Sequence, residues 1–141
     1  MKKSTQNLLR AAAAAMLLLI FGILFSLTAK KPVKQDAVIL STPQMREAWL
    51  NLRGWKVDSP QTETIQIPQS WQTQAGQRWL SIQTEQGFTP DQYAGQEATQ
   101  YRYPVLNAPN EWYIAELLLC GQTLIAADIY DASTQIMQKV R

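Results

Sequence analysis

The chain has 141 residues, enough for one ordinary domain, and carries thirteen basic and eleven acidic side chains. Four of the basic residues lie in the first thirty positions, so the rest of the chain holds nine basic and eleven acidic residues. This balance argues against a nucleic-acid binder, which needs a concentrated cationic face. Histidine is absent and there is one cysteine. Histidine-based nucleophile systems, histidine general bases and nearly every zinc site are therefore excluded.

A long uncharged segment lies close to the amino terminus. Residues 11–29 carry no charge, and at ~1.5 Å per residue a helix of this length spans about 28 Å, close to the ~30 Å core of a bilayer. The alternative is a cleaved secretory signal, which has a shorter apolar core and small residues before the cut. A cut after Ala29 would put Leu27 at the third position before it. We predict a membrane anchor (or signal peptide) over 11–29.

Basic residues flank this segment on both sides. The flanking cations are Lys2, Lys3 and Arg10 before it, and Lys30, Lys31 and Lys34 after it. Cytoplasmic flanks attract Lys and Arg, and the free amino terminus adds to the charge of the first flank. The sequence therefore predicts a cytoplasmic tail over 1–10, one crossing of the cell membrane, a tether over 30–39 and an extracytoplasmic domain over 40–141.

The domain is predicted to begin with a helix. Either Ser41 caps this helix with Gln44 completing a capping box, or Thr42 caps it with Pro43 in the first turn. Gly54 is a suitable left-handed stop. Apolar residues at helical spacing predict one buried stripe, formed by Met45, Ala48, Trp49 and Leu52.

Short strands and a second helix are predicted next. Residues 55–58 and 62–67 alternate apolar and polar side chains, as half-buried strands do, and 101–105 alternate again. Between them, a helix from Pro68 to Gln86 is predicted to end at Gly87. Its expected buried face consists of Trp71, Ala75, Trp79 and Ile82.

Two apolar segments at 112–120 and 123–130 are separated only by Gly121 and Gln122. This pattern predicts a β-hairpin with a two-residue turn. Both faces of the hairpin are apolar and need cover. The pairs expected from regular pairing are Leu117 with Ala126 and Leu118 with Ile125.

The order of elements is helix, two strands, helix, three strands, with an ambiguous tail over 131–141. Such an order predicts an α+β domain with a small, mainly antiparallel sheet and two helices packed on one face. In the full chain this domain follows an N-terminal transmembrane helix.

Several short segments carry a family resemblance: Ile65–Pro68, Gln83–Phe88, Tyr93–Gly95, Tyr101–Asn107 and Asp128-Ile129. Together they resemble a family of small clostridial-type bacterial proteins, domain of unknown function 4830, over roughly residues 43–137. The resemblance implies an amino-terminal membrane segment with one such domain, and that family has no assigned activity, cofactor or ligand. The family tends to show two glycines where this chain has Ala126-Ala127, which weakens the idea of a close ligand approach to the backbone there.

Two acidic residues lie within the hairpin. Regular pairing sets Glu116 opposite Ala127 and Asp128 opposite Ala115, so the two carboxylates would point to opposite faces of the sheet. The paired acid and base of a glycosidase are then not expected. Because a carboxylate in an apolar strand needs a partner, we expect Asp128 to lie near the sheet edge or to pair with Arg102. The functional alternative makes Asp128 an acid with a perturbed pKa.

Five tryptophans and five tyrosines suggest ligand stacking, for example on the apolar side of a sugar. Trp49, Trp71 and Trp79 lie on the predicted buried stripes of helices and are interpreted as core. Trp55 and Trp112 are freer to be exposed. The candidate ligand-binding residues are Trp112 with Tyr93 or Tyr101.

No phosphate-binding glycine loop, metal-ligand spacing or calcium loop occurs in the sequence, so we expect no cofactor, metal or catalytic residue. Cys120 is interpreted as a small buried hydrophobe, the alternative being a thiol that links two chains.

The leading hypothesis is a non-enzymatic, membrane-anchored extracytoplasmic module that binds a protein or cell-envelope component through its apolar hairpin. The alternative is a small-ligand or glycan sensor that uses exposed aromatics. A third hypothesis is an enzyme that uses Asp128 or Glu116.

Overall fold

The computed structural model describes residues 36–141. The predicted tail over 1–10, the predicted anchor over 11–29 and the first part of the predicted tether lie outside the described residues. Among the helices of the described part of the chain, none combines the length and the apolar character needed to cross a bilayer.

Residues 36–141 contain two α-helices, five strands and one 3₁₀ turn. The helices are α1 (Pro43–Asn51) and α2 (Gln74–Glu85), and the 3₁₀ turn spans Pro90–Tyr93. The strands are β1 (Gln61–Gln66), β2 (Glu97–Pro104), β3 (Tyr113–Cys120), β4 (Thr123–Asp131) and β5 (Ile136–Gln138). They form one sheet in the order β1-β2-β3-β4-β5, with every neighbouring pair antiparallel. The predicted α+β class is confirmed.

Two strand predictions differ from the structure. Residues 55–58 form only an isolated bridge between Val57 and Val105, because Pro60 interrupts the chain before a longer pairing can form. The ambiguous tail contributes β5, which pairs with the end of β4.

The first helix begins at the predicted place, and the structure selects one of the two predicted caps. The Thr42 hydroxyl accepts a hydrogen bond from the backbone N–H of Met45 at 3.2 Å, and Pro43 is the first helical residue. Gly54 adopts a φ of 87°, a left-handed conformation that an L side chain resists, just after the helix ends.

Of the four residues of the predicted buried stripe, only Trp49 is buried. The buried residues of α1 are Arg46, Trp49 and Leu50, whereas Leu52 is 86 % exposed. Arg46 turns the helix toward the sheet, because its guanidinium donates to the Tyr103 hydroxyl at 3.1 Å and lies 4.0 Å from the ring centroid of Tyr101. A pattern of apolar residues does not detect such a buried cation.

The second helix starts later than predicted. Thr73 is its N-cap, and the Thr73 hydroxyl accepts from the N–H of Gly76 at 3.0 Å. Trp71 therefore precedes the helix, and Ala75 lies exposed on it. The Gln77 side chain donates to the Trp71 carbonyl and so ties the preceding segment to the first turn.

The hairpin between β3 and β4 forms at the predicted turn, where Gly121 has a φ of 58°. Its register is not the predicted one. A β-bulge lies beside Leu118 and Leu119, and Ile125 is the extra residue on β4. Beyond the bulge every pair is displaced by one residue, so Leu117 pairs with Ala127 and not with Ala126.

Two apolar clusters cover the two faces of the sheet. On one face, here called the α1 face, Leu117 and Leu119 of β3 pack with Trp49 and Leu50 of α1. On the other, the α2 face, the buried cluster packs against half-buried Trp71, Trp79 and Cys120. The prediction that both helices pack on one face is therefore wrong. Because β3 and β4 are apolar at consecutive positions, each face needs its own cover.

The outer edge of β4 is paired along most of its length. The N–H of Leu40 donates to the Gln122 carbonyl, and the Val38 carbonyl accepts from the N–H of Leu124, both at 2.8 Å. Val38 lies in the predicted tether and Leu40 directly follows it. In the middle of the edge, side-chain amides of α2 replace a strand, and at its end β5 pairs with residues 129–131. Because most backbone N–H and C=O groups of this edge are already hydrogen-bonded, few of them are free to pair with a strand of another chain.

Candidate ligand-binding site

A cavity of about 280 Å³ lies on the α2 face of the sheet. Its volume is near the lower end of the roughly 300–1,000 Å³ that small-molecule sites occupy. Of the described residues that line it, two are acidic and none is basic. The side chains that shape the cavity are Ile65, Ile67, Pro68, Trp71, Trp79, Gln100, Glu116, Leu118, Ala126 and Asp128.

Two carboxyl groups meet on one side of this cavity. Because of the bulge at Ile125, Glu116 of β3 pairs directly with Asp128 of β4, and directly paired residues share a face. The prediction that these acids point to opposite faces, with Asp128 beside Ala115, is wrong. A single extra residue in β4 is the physical reason, since a shift of one position reverses the face of every later side chain.

Asp128 is buried and held by α2. Only 2 % of the residue is exposed. Its Oδ2 atom accepts hydrogen bonds from Trp79 Nε1 at 3.0 Å and from Gln83 Nε2 at 3.1 Å. Its Oδ1 atom is buried and has no N–H donor within residues 36–141. Its partner there is Glu116, to which it is hydrogen-bonded when Asp128 is protonated.

The surroundings of Asp128 favour its protonated form. Burial, then the negative charge of Glu116, and also a hydrogen bond to Glu116 raise the pKa of Asp128 to about 8, against the hydrogen bonds from Trp79 and Gln83, which lower it. At neutral pH the carboxyl is therefore mainly neutral. Because Oδ2 already accepts from two N–H donors, Oδ1 is the oxygen left for the hydrogen bond to Glu116.

Glu116 has a cationic partner outside the cavity lining. Arg102 Nε lies 2.8 Å from Glu116 Oε1, and the pair is only partly exposed. The sequence predicts that Asp128 lies near the sheet edge or pairs with Arg102. Asp128 does lie near the edge, since β5 pairs only with residues 129–131 of β4, but Arg102 pairs with Glu116. The bulge explains why Arg102 does not reach Asp128. In the predicted register Ala115 lies opposite Asp128, whereas in the structure Glu116 lies there, between Arg102 on β2 and Asp128 on β4.

Two stacked indole rings form one wall of the cavity. The rings of Trp71 and Trp79 lie 4.8 Å apart between centroids with an interplanar angle of 21°. The prediction that Trp71 and Trp79 belong to the core is only partly correct, because both side chains are half-buried and line the cavity. Trp71 Nε1 is buried without an acceptor among the described residues. Because the rings stack on each other, one face of each indole is covered, and the indoles contribute aromatic surface that binds apolar or cationic groups.

Gln83 and Gln86 fix α2 to the edge of β4. Gln83 Oε1 accepts from the backbone N–H of Ala127 at 2.9 Å, and Gln86 Nε2 donates to the Ala127 carbonyl at 2.9 Å. Gln83 is fully buried. Through these bonds the helix sets the position of Trp79 over Asp128. The sequence analysis does not identify Gln83. Its signal is that Gln83 lies four residues after Trp79, on the same face of the helix, where a glutamine indicates a polar partner in the sheet.

The structure does not place the predicted ligand-binding residues in the cavity. Trp112 is 53 % exposed and precedes β3. Tyr101 packs against the cluster on the α1 face, and Tyr93 packs against the cluster on the α2 face. Tyr93 and Tyr101 therefore lie on opposite sides of the sheet.

Two further side-chain groups bear on the chemistry of the domain. Within residues 36–141, no cluster of three or more His, Cys, Asp or Glu side chains is placed to hold a metal ion. Cys120 is half-buried, and its Sγ atom lies 3.2 Å from the Glu97 carbonyl. Burial raises the pKa of the Cys120 thiol, which keeps it in the unreactive protonated form.

Fold and site together define a small α+β domain in which a ligand-sized cavity lies between an antiparallel sheet and two tryptophans. Comparison with protein-family models, with curated proteins and with solved structures gives no match. The similarity to domain of unknown function 4830 stays a prediction from the sequence.

Proposed function

We propose that this chain is a membrane-anchored, extracytoplasmic module that binds a small ligand in the cavity on the α2 face, without acting as an enzyme. One observation carries the proposal. The cavity combines apolar and aromatic walls with one pair of neighbouring carboxyls, Asp128 and Glu116. A small-molecule site is usually an apolar pocket in which a few polar groups converge.

The covered hairpin supports this choice over binding of a protein partner. The apolar side chains of Leu117, Leu118, Ile125 and Ala126 are all buried within the domain. An exposed apolar patch is what marks a protein-binding surface. The hairpin therefore offers no such patch, and the small-ligand alternative gains weight.

The membrane address is a separate part of the proposal. It is supported by the uncharged segment over 11–29 and by the basic residues on both of its flanks. With the amino-terminal tail in the cytoplasm, the cavity faces the extracytoplasmic side.

The test of ligand binding is a thermal-shift screen of the full chain against a library of small polar and aromatic compounds. The key variant is Ala126→Leu, because Ala126 lines the cavity and a longer side chain fills it. Ala75→Leu on exposed α2 is the matched control. We expect compounds that stabilise the wild type and the control but not Ala126→Leu. A library without any stabilising compound, or stabilisation that survives in Ala126→Leu, would contradict the proposal.

Acid-catalysed hydrolysis is a second candidate, favoured by one observation. Glu116 and Asp128 form a cross-strand pair in which one carboxyl is mainly protonated at neutral pH and the other has a cationic partner. A neutral and an ionised carboxyl side by side are the components of acid–base catalysis. The screen separates the two functions, since an enzyme converts the stabilising compound and loses this turnover in Asp128→Asn.

A further inference from the structure

The electrostatic character of the cavity selects among ligand classes. Among residues 36–141, the lining contains Glu116 and Asp128 and no basic side chain. The nearest cation to these acids among the described contacts is Arg102, which is bound to Oε1 of Glu116. An anion in the cavity would lie beside these two acidic side chains and find no basic residue of the lining to bind it, whereas a cation would be attracted to them.

The aromatic wall favours the same charge. Trp71 and Trp79 are stacked and line the cavity. Indole is the best of the side-chain rings for binding a cation over its face. A ligand that carries a positive charge beside a flat or apolar body would use both the rings and the aliphatic wall formed by Ile65 and Ile67.

The pairing of Asp128 with Glu116 adds a requirement for a donor. Asp128 is buried, its Oδ2 is occupied by Trp79 and Gln83, and in the protonated form it is hydrogen-bonded to Glu116. A ligand that displaces this proton must supply a donor in its place. An ionised Oδ1 accepts a hydrogen bond from N–H. A protonated amine supplies that donor and the compensating charge, whereas a quaternary ammonium group has no N–H.

We propose that the cavity binds a small organic ammonium ion, with its N–H groups on Asp128 and Glu116 and its apolar body against Trp71 and Trp79. This inference rests on the proposed function and names the ligand class of the same site. The volume of about 280 Å³ limits the ligand to a monomeric compound such as an arylalkyl amine.

Binding of this cation displaces a proton. In the free domain Asp128 is mainly protonated at pH 7, since its pKa is raised to about 8. An ammonium ion beside it favours the carboxylate, so the O–H bond of Asp128 breaks and the proton passes to the solvent. At pH 7 the number of protons released per bound ligand approaches one, and affinity rises as the pH increases toward 8.

The charged groups on the packed elements are few. Glu116 on β3 and Arg102 on β2 share the face of Asp128, and Glu63 on β1 is an exposed residue on the same face. On α2, Arg78 is exposed, and Glu85 forms an exposed ion pair with Lys139. Of these groups, Glu116 is the one whose charge raises the pKa of Asp128.

The test compares three probes of one shape on the full chain: benzylammonium, benzyl alcohol and benzoate. Binding is followed by tryptophan fluorescence, and proton release by calorimetry in two buffers of different ionisation enthalpy. We expect benzylammonium alone to saturate the site, with a proton release that approaches one at pH 7.

Two variants and one control assign the effect to the cavity. Asp128→Asn should abolish proton release and weaken benzylammonium binding about tenfold or more, as expected for the loss of one charge-assisted hydrogen bond. Glu116→Gln, which keeps an acceptor for Arg102, should also weaken binding. Glu111→Gln changes an exposed acid and should bind as the wild type does. The circular dichroism spectrum of each variant checks that it folds.

Three results would overturn the inference. If benzyl alcohol binds as tightly as benzylammonium, the site takes a neutral ligand, and the proposed function stands while the ligand class falls. Benzylammonium binding without proton release, or unchanged in Asp128→Asn, removes the carboxyl from the site. If no probe saturates the fluorescence change, the ammonium class is rejected, and the thermal-shift screen decides independently whether the cavity binds any ligand.

Discussion

Asp128 couples the protonation of one carboxyl to the stability of the whole domain. Its ordinary pKa is 3.8, and in the folded state its pKa is raised to about 8. Between these two pH values the folded chain binds more protons than the unfolded chain does. The free energy of unfolding therefore decreases as the pH rises through this window, with a slope of up to about 1.4 kcal/mol per pH unit.

We expect the wild type to lose stability steadily from pH 5 to pH 8, and Asp128→Asn to remove most of this dependence. The asparagine is neutral at every pH and keeps a carbonyl oxygen for the donors Trp79 and Gln83. The other shifted acids do not interfere, because the pKa values of Glu85 and Asp131 are lowered by their hydrogen-bond partners. Urea unfolding at several pH values measures the effect.

A wild type with constant stability from pH 5 to pH 8 would show that Asp128 is ionised in the folded state. Glu111→Gln is the control for a general change of charge, since Glu111 is exposed. Its pH dependence should follow that of the wild type.

At the scale of elements, the contact between α2 and β4 depends on amide side chains. Gln83 alone supplies a donor to Asp128 Oδ2 and an acceptor to the N–H of Ala127. Gln86 accepts from the N–H of Val140 at 2.8 Å and donates to Ala127, so it joins the helix to the carboxy-terminal segment as well. The helix thus acts as a partial edge strand.

Replacing Gln83 with methionine keeps the side-chain volume and removes these hydrogen bonds. The buried N–H of Ala127 then lacks an acceptor and Asp128 loses one donor. Leaving a buried polar group unpaired costs ~1–3 kcal/mol, so we expect a loss of about 2–4 kcal/mol in the free energy of unfolding. Urea denaturation measures the loss. Gln74→Met, the same change at an exposed position of α2, should alter stability by less than about 0.5 kcal/mol.

A cost for Gln83→Met no larger than that for Gln74→Met would contradict this account of the helix contact. The pH dependence offers a second measurement. Loss of the Gln83 donor removes an interaction that lowers the pKa of Asp128, so the window of decreasing stability should extend to higher pH.

The sequence predicts elements better than their relative placement. The Thr42 cap, the Gly121-Gln122 turn and the apolar character of both hairpin faces are local properties, and each is present in the structure. The bulge at Ile125 has no local sequence signal, because isoleucine fits a regular strand equally well. The candidate site depends on that bulge, so alternation alone could not bring Glu116 and Asp128 together.

Buried polar residues explain the other differences. Arg46 and Gln83 lie outside the predicted apolar stripes, and both are buried through tertiary hydrogen bonds. Their partners Tyr103 and Ala127 are more than forty positions away in the chain. Sequence patterns over a window of one helix contain no information on such partners, and so they do not predict that Arg46 belongs to the buried face of α1.

At the scale of the whole molecule, every strand pairs with its neighbour in the chain, and the sheet has β1 and β5 at its two edges. The edge strand β5 has three residues and covers the end of the nine-residue β4. Val140 follows β5 and is buried in the cluster on the α1 face. The last six residues therefore both fill the core and cover an edge.

We expect a chain that ends at Gln135 to self-associate. Without β5 the backbone groups of β4 at residues 129–131 lose their partners, and an unpaired edge of this kind pairs with other chains. Size-exclusion chromatography with light scattering measures the association, and amide hydrogen exchange should show loss of protection in β4. Removal of exposed Arg141 alone is the control. A truncated chain with the mass and protection of the full chain would refute the prediction.

The stacked tryptophans also have an optical consequence. Two indoles with ring centroids 4.8 Å apart are close enough for their electronic transitions to couple. Such coupling splits the absorption into two bands of opposite rotational strength, so the far-ultraviolet circular dichroism of this domain contains an exciton couplet in addition to the backbone signal. Because its sign and size depend on the angle between the rings, the couplet reports directly on movement of the cavity wall.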